Sequence, residues 1–266
     1  MTTTKPRRRW FQFSLKAVML LVVAAAVPCG WLRWKMIIKH KERAAVAEIE
    51  RLGGLVGYDW KPIYVSTVGK PFSPPQPPGP AWLRSILGDD FFASVVEVSV
   101  NNGMTDDGFV RFGTFANAEE LWLGQTRVSN VDLEQLKGMS HLRKLDLSCT
   151  GITDDGLEYL QYLSCLRELT LTETQITDTG VAYLARLRGL TKLSLNITRI
   201  SDEGLVYLAD LTTLEELKVS STYVSDAGLT HLRALANLKA LTVGNYVTDA
   251  GVAELQKALP NCEIIR

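Results

Sequence analysis

Histidine is scarce in this sequence, with three residues in 266, and the four cysteines show no CxxC spacing. His40, His141 and His231 have no metal-ligand spacing, and no GxSxG, Walker or GxGxxG motif occurs. The residues therefore point to no catalytic centre, no metal and no cofactor. Cys149, Cys165 and Cys262 lie outside the apolar stretch that holds Cys29, and an odd set of scattered thiols implies neither a disulfide framework nor a zinc site. Net charge is missing as well, because Lys+Arg and Asp+Glu each number 29. With 46% hydrophobic and 22% charged residues, a wholly disordered or collagen-like chain is excluded.

The zero charge divides into two signed parts. Residues 1–43 carry ten basic residues against one acid, Glu42, which leaves 19 basic and 28 acidic residues for the remainder. Within the basic part, Ala17–Leu32 has no charge, and Phe11–Leu32 admits only Lys16. As a helix, Phe11–Leu32 reaches about 33 Å, enough for a hydrocarbon core of about 30 Å. Trp10 stands at one end, with Trp31 and Trp34 at the other, where aromatic belts sit. These features predict a basic tail over 1–10 and a transmembrane anchor over 11–34 that contacts membrane lipid. A cleaved signal peptide is the rival, with small residues at Ala24–Ala26. The basic tail resists translocation, so the expected topology has the N-terminus in the cytoplasm and the body outside a cell (inner) membrane. The cationic cluster is explained by lipid headgroups, without nucleic acid.

Residues 35–94 read as a juxtamembrane helix, a linker and an N-terminal cap. KERAAVAEIERL, residues 41–52, predicts a short helix ended by Gly53-Gly54. Leu55–Trp60 and Ile63–Val65 look like strands. Residues 71–80 hold six of the ten prolines, which favours an extended spacer, and Ala81–Leu87 resumes as helix before Phe91-Phe92.

From residue 95 the sequence repeats. Leu121, Leu145, Leu169, Leu193, Leu217 and Leu241 recur every 24 residues, and two positions on stand Leu123, Leu147, Leu171, Leu195, Val219 and Val243. Val98, Val100, Met104, Phe109 and Phe112 form an earlier copy, and Cys262–Ile265 starts an eighth strand. The L-x-L segment predicts a strand and the later leucines a short helix; neither buries its apolar face alone, so neighbours stack. Thr126, Thr150, Thr174, Thr198 and Thr222 are expected to bond turn backbone of the adjacent coil, with Asn102 and Asn245 in the two shortened copies. Ser or Thr followed by Asp or Asn, from 105–106 to 248–249, predicts helix caps with an acid at the dipole's positive end. Capping explains this acidic column without calcium.

The pattern LxxLxLxxTxITDxGLxxLxxL resembles the leucine-rich-repeat superfamily over residues 95–266, and its 24-residue ITDxGL form is similar to the ribonuclease-inhibitor-like subgroup found in bacterial repeat proteins. The resemblance implies an α/β solenoid of seven repeats plus terminal caps, with a concave parallel sheet, convex short helices and a role in protein binding. The N-terminal third resembles the anchors of bacterial membrane-attached repeat proteins. No F-box precedes the repeats, so a substrate-adaptor role is not implied.

Outward strand positions nominate the binding surface. Glu120, Lys144, Glu168, Lys192 and Glu216 alternate in sign and read as a self-neutralising ladder. Trp122 is the single aromatic of the next column, followed by Asp146 and, further on, Lys218, with Arg143 and Arg167 in an adjacent column. These five residues are the candidate contacts for an unidentified protein, or a glycan suited to the small polar columns. A helix-side stripe of Tyr159, Tyr183, Tyr207 and His231 reads as packing between stacked helices. Together the residues predict a non-catalytic, membrane-anchored, leucine-rich-repeat binding or scaffolding protein. A structural cell-envelope component and a secreted binder are the alternatives.

Overall fold

The computed structural model describes residues 15–60, 76–100 and 112–266, and side chains from Ala26 onward. It divides into two units, Met1–Arg43 and Ala44–Arg266.

The first unit is described as the N-terminal part of helix α1, Leu15–Arg51, with Pro28 inside it. Val27, Trp31, Trp34, Met36 and Ile37 are exposed on it, and the Lys35 ammonium lies 5.3 Å from the centre of the Trp31 ring. The expected span begins at residues 11–14, which lie outside the described residues. Among the described residues no helix is long and apolar enough to cross a membrane. The separate helix expected over 41–52 is instead the end of α1, because no Gly or Pro interrupts the chain between Gly30 and Gly53. Gly53 then takes φ 77°, and the Gly54 N–H bonds the Ile49 carbonyl at 2.9 Å, closing the last turn.

In the second unit, β1 (Leu55–Tyr58) leads through α2 (Ala81–Leu87) to the strands β2 (Val95–Ser99), β3 (Glu120–Trp122), β4 (Lys144–Asp146), β5 (Glu168–Thr170), β6 (Lys192–Ser194), β7 (Glu216–Val219), β8 (Ala240–Val243) and β9 (Glu263–Ile265). They form one nine-stranded sheet in chain order. From β2 to β9 all pairs are parallel and in register, with Leu121 opposite Leu145 and Leu145 opposite Leu169. The expectation of a purely parallel sheet is corrected at one edge: β1 pairs antiparallel with β2. Val46 and Ile49 of α1 join the buried core there, so helix end and reversed strand together close the first coil. Ile63–Val65, residues 71–75 and the positions Asn102, Met104, Asp106 and Phe109 lie outside the described residues.

On the other face run short helices α3 (Asp154–Leu157), α4 (Asp178–Leu184), α5 (Asp202–Leu208), α6 (Asp226–Leu229) and α7 (Asp249–Ala258), with 3₁₀ segments at Asn130–Gly138, Glu158–Tyr162 and Thr230–Ala234. Strands stack about 4.8 Å apart whereas a helix is about 10 Å wide, so the helical side is the longer one and the sheet side is concave. Leucines of the repeat columns, Leu145, Leu147, Leu157 and Leu160 among them, are wholly buried between the two layers.

Two polar devices hold successive coils. The first differs from expectation: Thr126, Thr150, Thr174, Thr198 and Thr222 donate to a carbonyl three residues back in their own coil, at 2.6–2.7 Å, rather than to the adjacent one. This bond spans Gln125, Cys149, Glu173, Ile197 and Ser221, all left-handed at φ 54–60°. The coil-to-coil bond is made by the N–H groups of Gln125, Cys149, Glu173 and Ile197, as from Glu173 to the Asn196 carbonyl at 2.9 Å.

The second device is the Ser/Thr–Asp pair. Thr177, Ser201, Ser225 and Thr248 cap their helices through their hydroxyls, as predicted. The aspartate that follows does more than face its own helix dipole. Asp154, Asp178, Asp202 and Asp226 each accept the backbone N–H of the next coil's cap residue at 2.7–2.8 Å with one oxygen, and its hydroxyl with the other. Asn130 plays the part for Thr153. A Cβ on Gly156, Gly180, Gly204, Gly228 or Gly251 would collide with the preceding coil's Asn or Asp oxygen. The motif's glycine is thus the space its neighbour's aspartate needs.

Candidate functional site

The open sheet face carries the residues nominated from sequence, and the structure spreads them out. Trp122 on β3 and Asp146 on β4 are direct cross-strand partners. The Lys144 ammonium stands 4.2 Å from the centre of the Trp122 ring, a cation–π contact. Asp146 turns to its own strand end, accepting the Ser148 N–H at 2.9 Å. Arg143 does not reach Trp122: it precedes β4 and pairs with Glu119 at 3.4 Å, at the opposite end of the strands. Arg167 bonds the Leu166 carbonyl at 3.0 Å in that same rim. Lys218 lies four strands from Trp122, about 19 Å at usual strand spacing, and pairs with Glu216 at 2.8 Å. Trp122, Lys144 and Asp146 therefore form one local cluster, and the two arginines belong to another edge.

The charge ladder is partly as expected. Glu168 bridges Lys192 at 2.8 Å and Lys144 at 3.6 Å. Burial pushes the Glu168 carboxyl up, but Lys192 and then Lys144 outweigh it and the net shift is downward. Hydrogen bonding to Glu168 likewise raises the Lys192 ammonium. Glu216 leaves the ladder for Lys218 of its own strand. In the small polar column, Thr172 bonds Ser194 at 2.9 Å and Asn196 accepts the Ser220 N–H at 2.8 Å. The sheet face spends much of its polarity on itself.

A second surface was not singled out from sequence. Beyond the strand ends, the turns between Thr150 and Tyr246 line an open groove of about 650 Å³. Here the residue after each column threonine projects outward: Gln175, Arg199, Tyr223 and, one place early in the shortened copy, Tyr246. Its backbone is pinned, since the N–H groups of Gln175, Arg199 and Tyr223 bond carbonyls of the preceding coil at 2.9–3.2 Å. Tyr223 and Tyr246 are each 61% exposed, with ring centres 6.3 Å apart, and Ile197 beside them is 52% exposed. At the far end the Cys149 thiol donates to Glu173 at 3.2 Å. That hydrogen bond, with burial second, raises the Cys149 pKa and withholds the thiolate a nucleophile needs. The overlooked signal was the register of Tyr246, visible once the missing residue of that copy is allowed for.

On the helical side Tyr159 and Tyr183 pack against the core, while Tyr207 is 43% exposed. Lys137 sits 4.9 Å from the Tyr159 ring centre and 5.4 Å from that of Tyr162.

Comparison with known proteins agrees with this architecture. Residues 138–160 and 162–185 match the family described as Leucine Rich repeat. No curated protein matches the chain. Among solved structures, an internalin C2 from Listeria monocytogenes shares 27% identity over 66% of this chain and 70% of its own, with a TM-score of 0.51. A second internalin from that species shares 24% identity over 58% of this chain and 49% of its own, with a TM-score of 0.46. A leucine-rich-repeat protein from Leptospira interrogans shares 22% identity over 58% of this chain and 38% of its own, also at 0.46. The chain thus spans less than half of each of the last two. The internalin C2 likeness supports the repeat solenoid with a parallel sheet.

Proposed function

We propose that this protein is a non-catalytic, membrane-anchored binding or scaffolding module whose open sheet face takes a protein partner. The observation that carries the reading is the Trp122–Lys144–Asp146 cluster, an aromatic with a cation over its ring on a rigid, otherwise self-satisfied surface. Interface hot spots favour such aromatics in well-packed surroundings. The pairing of a repeat solenoid with a large one-sided sheet suits this role, and the likeness to an internalin supports it.

The anchor is assigned to residues 11–34, with the N-terminus cytoplasmic and the repeats outside a bacterial inner membrane. The uncharged stretch from Ala17 and the exposed Val27, Trp31 and Trp34 support it. The repeats follow the 24-residue ITDxGL type. Co-purification of cross-linked partners with wild type and with Trp122→Ala tests the binding surface; equal recovery of the same proteins overturns it. Alkaline extraction of membranes combined with N-terminal sequencing tests the anchor. A soluble mature chain beginning near Val27 overturns that part and leaves a secreted binder.

A further inference from the structure

We propose that the groove beyond the strand ends is a second binding site, for a linear acidic polysaccharide. It is independent of the protein-binding reading, because it shares no residue with the Trp122 cluster. Three observations on the groove point to such a ligand.

First, four of its exposed polar side chains are uncommitted. Gln175, Arg199, Ser221 and Asn245 are exposed and their side chains make no hydrogen bond or ion pair among the described residues. On the sheet face, by contrast, Thr172, Ser194 and Asn196 are bonded to one another or to neighbouring backbone. A ligand dense in hydroxyls finds free donors and acceptors in the groove and few on the face.

Second, Tyr223 and Tyr246 present two open rings from consecutive coils, 6.3 Å apart and tilted by 32°. Each ring offers an apolar face with a hydroxyl at its edge, the amphipathic surface that the C–H face of a sugar ring covers. The two aromatics stand on neighbouring coils at one end of the groove, so a chain of sugar units can occupy both rings at once.

Third, Arg199 supplies a cation on the coil next to that of Tyr223. Its N–H is tied to the Ile176 carbonyl at 2.9 Å, so the residue's base is rigid while the guanidinium stays free to take a carboxylate in bidentate fashion. The acid at the far end, Glu173, already accepts from the Cys149 thiol. Among the described residues Arg199 is the one cation of the groove and lies on the coil next to Tyr223, whereas Glu173 lies a coil further away. This placement selects a uronate over a neutral sugar at the rings.

Affinity electrophoresis of the full-length protein, in a detergent without a sugar headgroup, tests this with polygalacturonate or neutral dextran cast in the gel. Wild type is expected to be retarded by polygalacturonate and not by dextran. Tyr223→Ala and Tyr246→Ala each weaken retardation by about tenfold, the loss of one stacking surface. Arg199→Gln keeps the groove polar and abolishes the preference for the acidic polymer. All three variants alter exposed side chains, and an unchanged melting temperature confirms folding. Absence of retardation for wild type overturns the proposal. So does loss in Arg199→Gln with both tyrosine variants unaffected, which is charge attraction alone. Cross-linking of a protein at Tyr223 without retardation replaces the saccharide by a protein.

Discussion

The Asp154 carboxylate of one coil fills the space in which residue 180 of the next coil would carry a side chain, and Gly180 leaves that space open. Asp154 uses the passage to reach the Thr177 N–H at 2.8 Å. The two positions are one device, although 26 residues of sequence part them.

Gly180→Ala is accordingly expected to destabilise the array by about 1–3 kcal/mol through overpacking. Asp154→Ala should cost about 1–3 kcal/mol by leaving the Thr177 donors without their acceptor. In the double variant the collision is gone, so the combined cost falls below the sum of the two. Urea midpoints of the four proteins give the coupling; strict additivity contradicts the shared-space account.

Asp226 makes a pH prediction. The Thr248 hydroxyl, and then its backbone N–H, hold this carboxyl below its ordinary value near 3.8. A depressed folded pKa means a stabilising contribution that is complete above the unfolded value and is lost as pH falls through the folded one. Thermal midpoints from pH 7 to pH 3 should therefore diverge only in the acid range. Asp226→Asn, which can bond as Asn130 does with Thr153, should show a shallower decline below about pH 4. Parallel curves for the two proteins would falsify the assignment.

Ile197 holds φ 55°, a conformation β-branched side chains resist. Ile197→Asn should raise stability by about 1 kcal/mol, since Asn tolerates the left-handed region. Removing the exposed aliphatic surface beside Tyr223 should at the same time alter ligand binding in the groove. Calorimetry checks the first effect, and a fall in melting temperature counts against it.

Glu168 stands between two lysines. Its replacement by Gln leaves Lys144 and Lys192 without the carboxylate between them, at a cost of up to about 1 kcal/mol for a half-buried group. The penalty should shrink in 1 M salt, where screening acts within about 3 Å. A penalty indifferent to salt assigns the effect to packing.

The strands, the buried leucines and the helix caps were legible from sequence because a 24-residue period aligns Leu121 with Leu145 and Leu169 without reference to any fold. The far partner of Asp154 was not, since an acid at a helix start is already explained by the helix it begins. Nor was the reversed pairing of β1: residues such as Val56 and Tyr58 mark a strand, and alternation carries no direction. The same holds for α1, where KERAAVAEIERL is equally good as a helix of its own or as the end of a longer one. Of the candidate site, Trp122 and Asp146 were placed together correctly by column counting. Arg143 was misplaced because its column faces the other end of the strands, and Tyr246 was missed because a one-residue deletion shifts it out of the count.

The aspartate bond runs in one direction, from each coil to its successor, and the units with Asp154, Asp178, Asp202 and Asp226 carry both halves of it: an acid to offer forward, and a cap residue with a glycine to receive from behind. Tandem duplication of any one of these units therefore creates a new joint that already fits, while cutting within it strands one half. Asp249 accepts from Arg266 instead. Array length is thus free to change by genetic copying of such a unit.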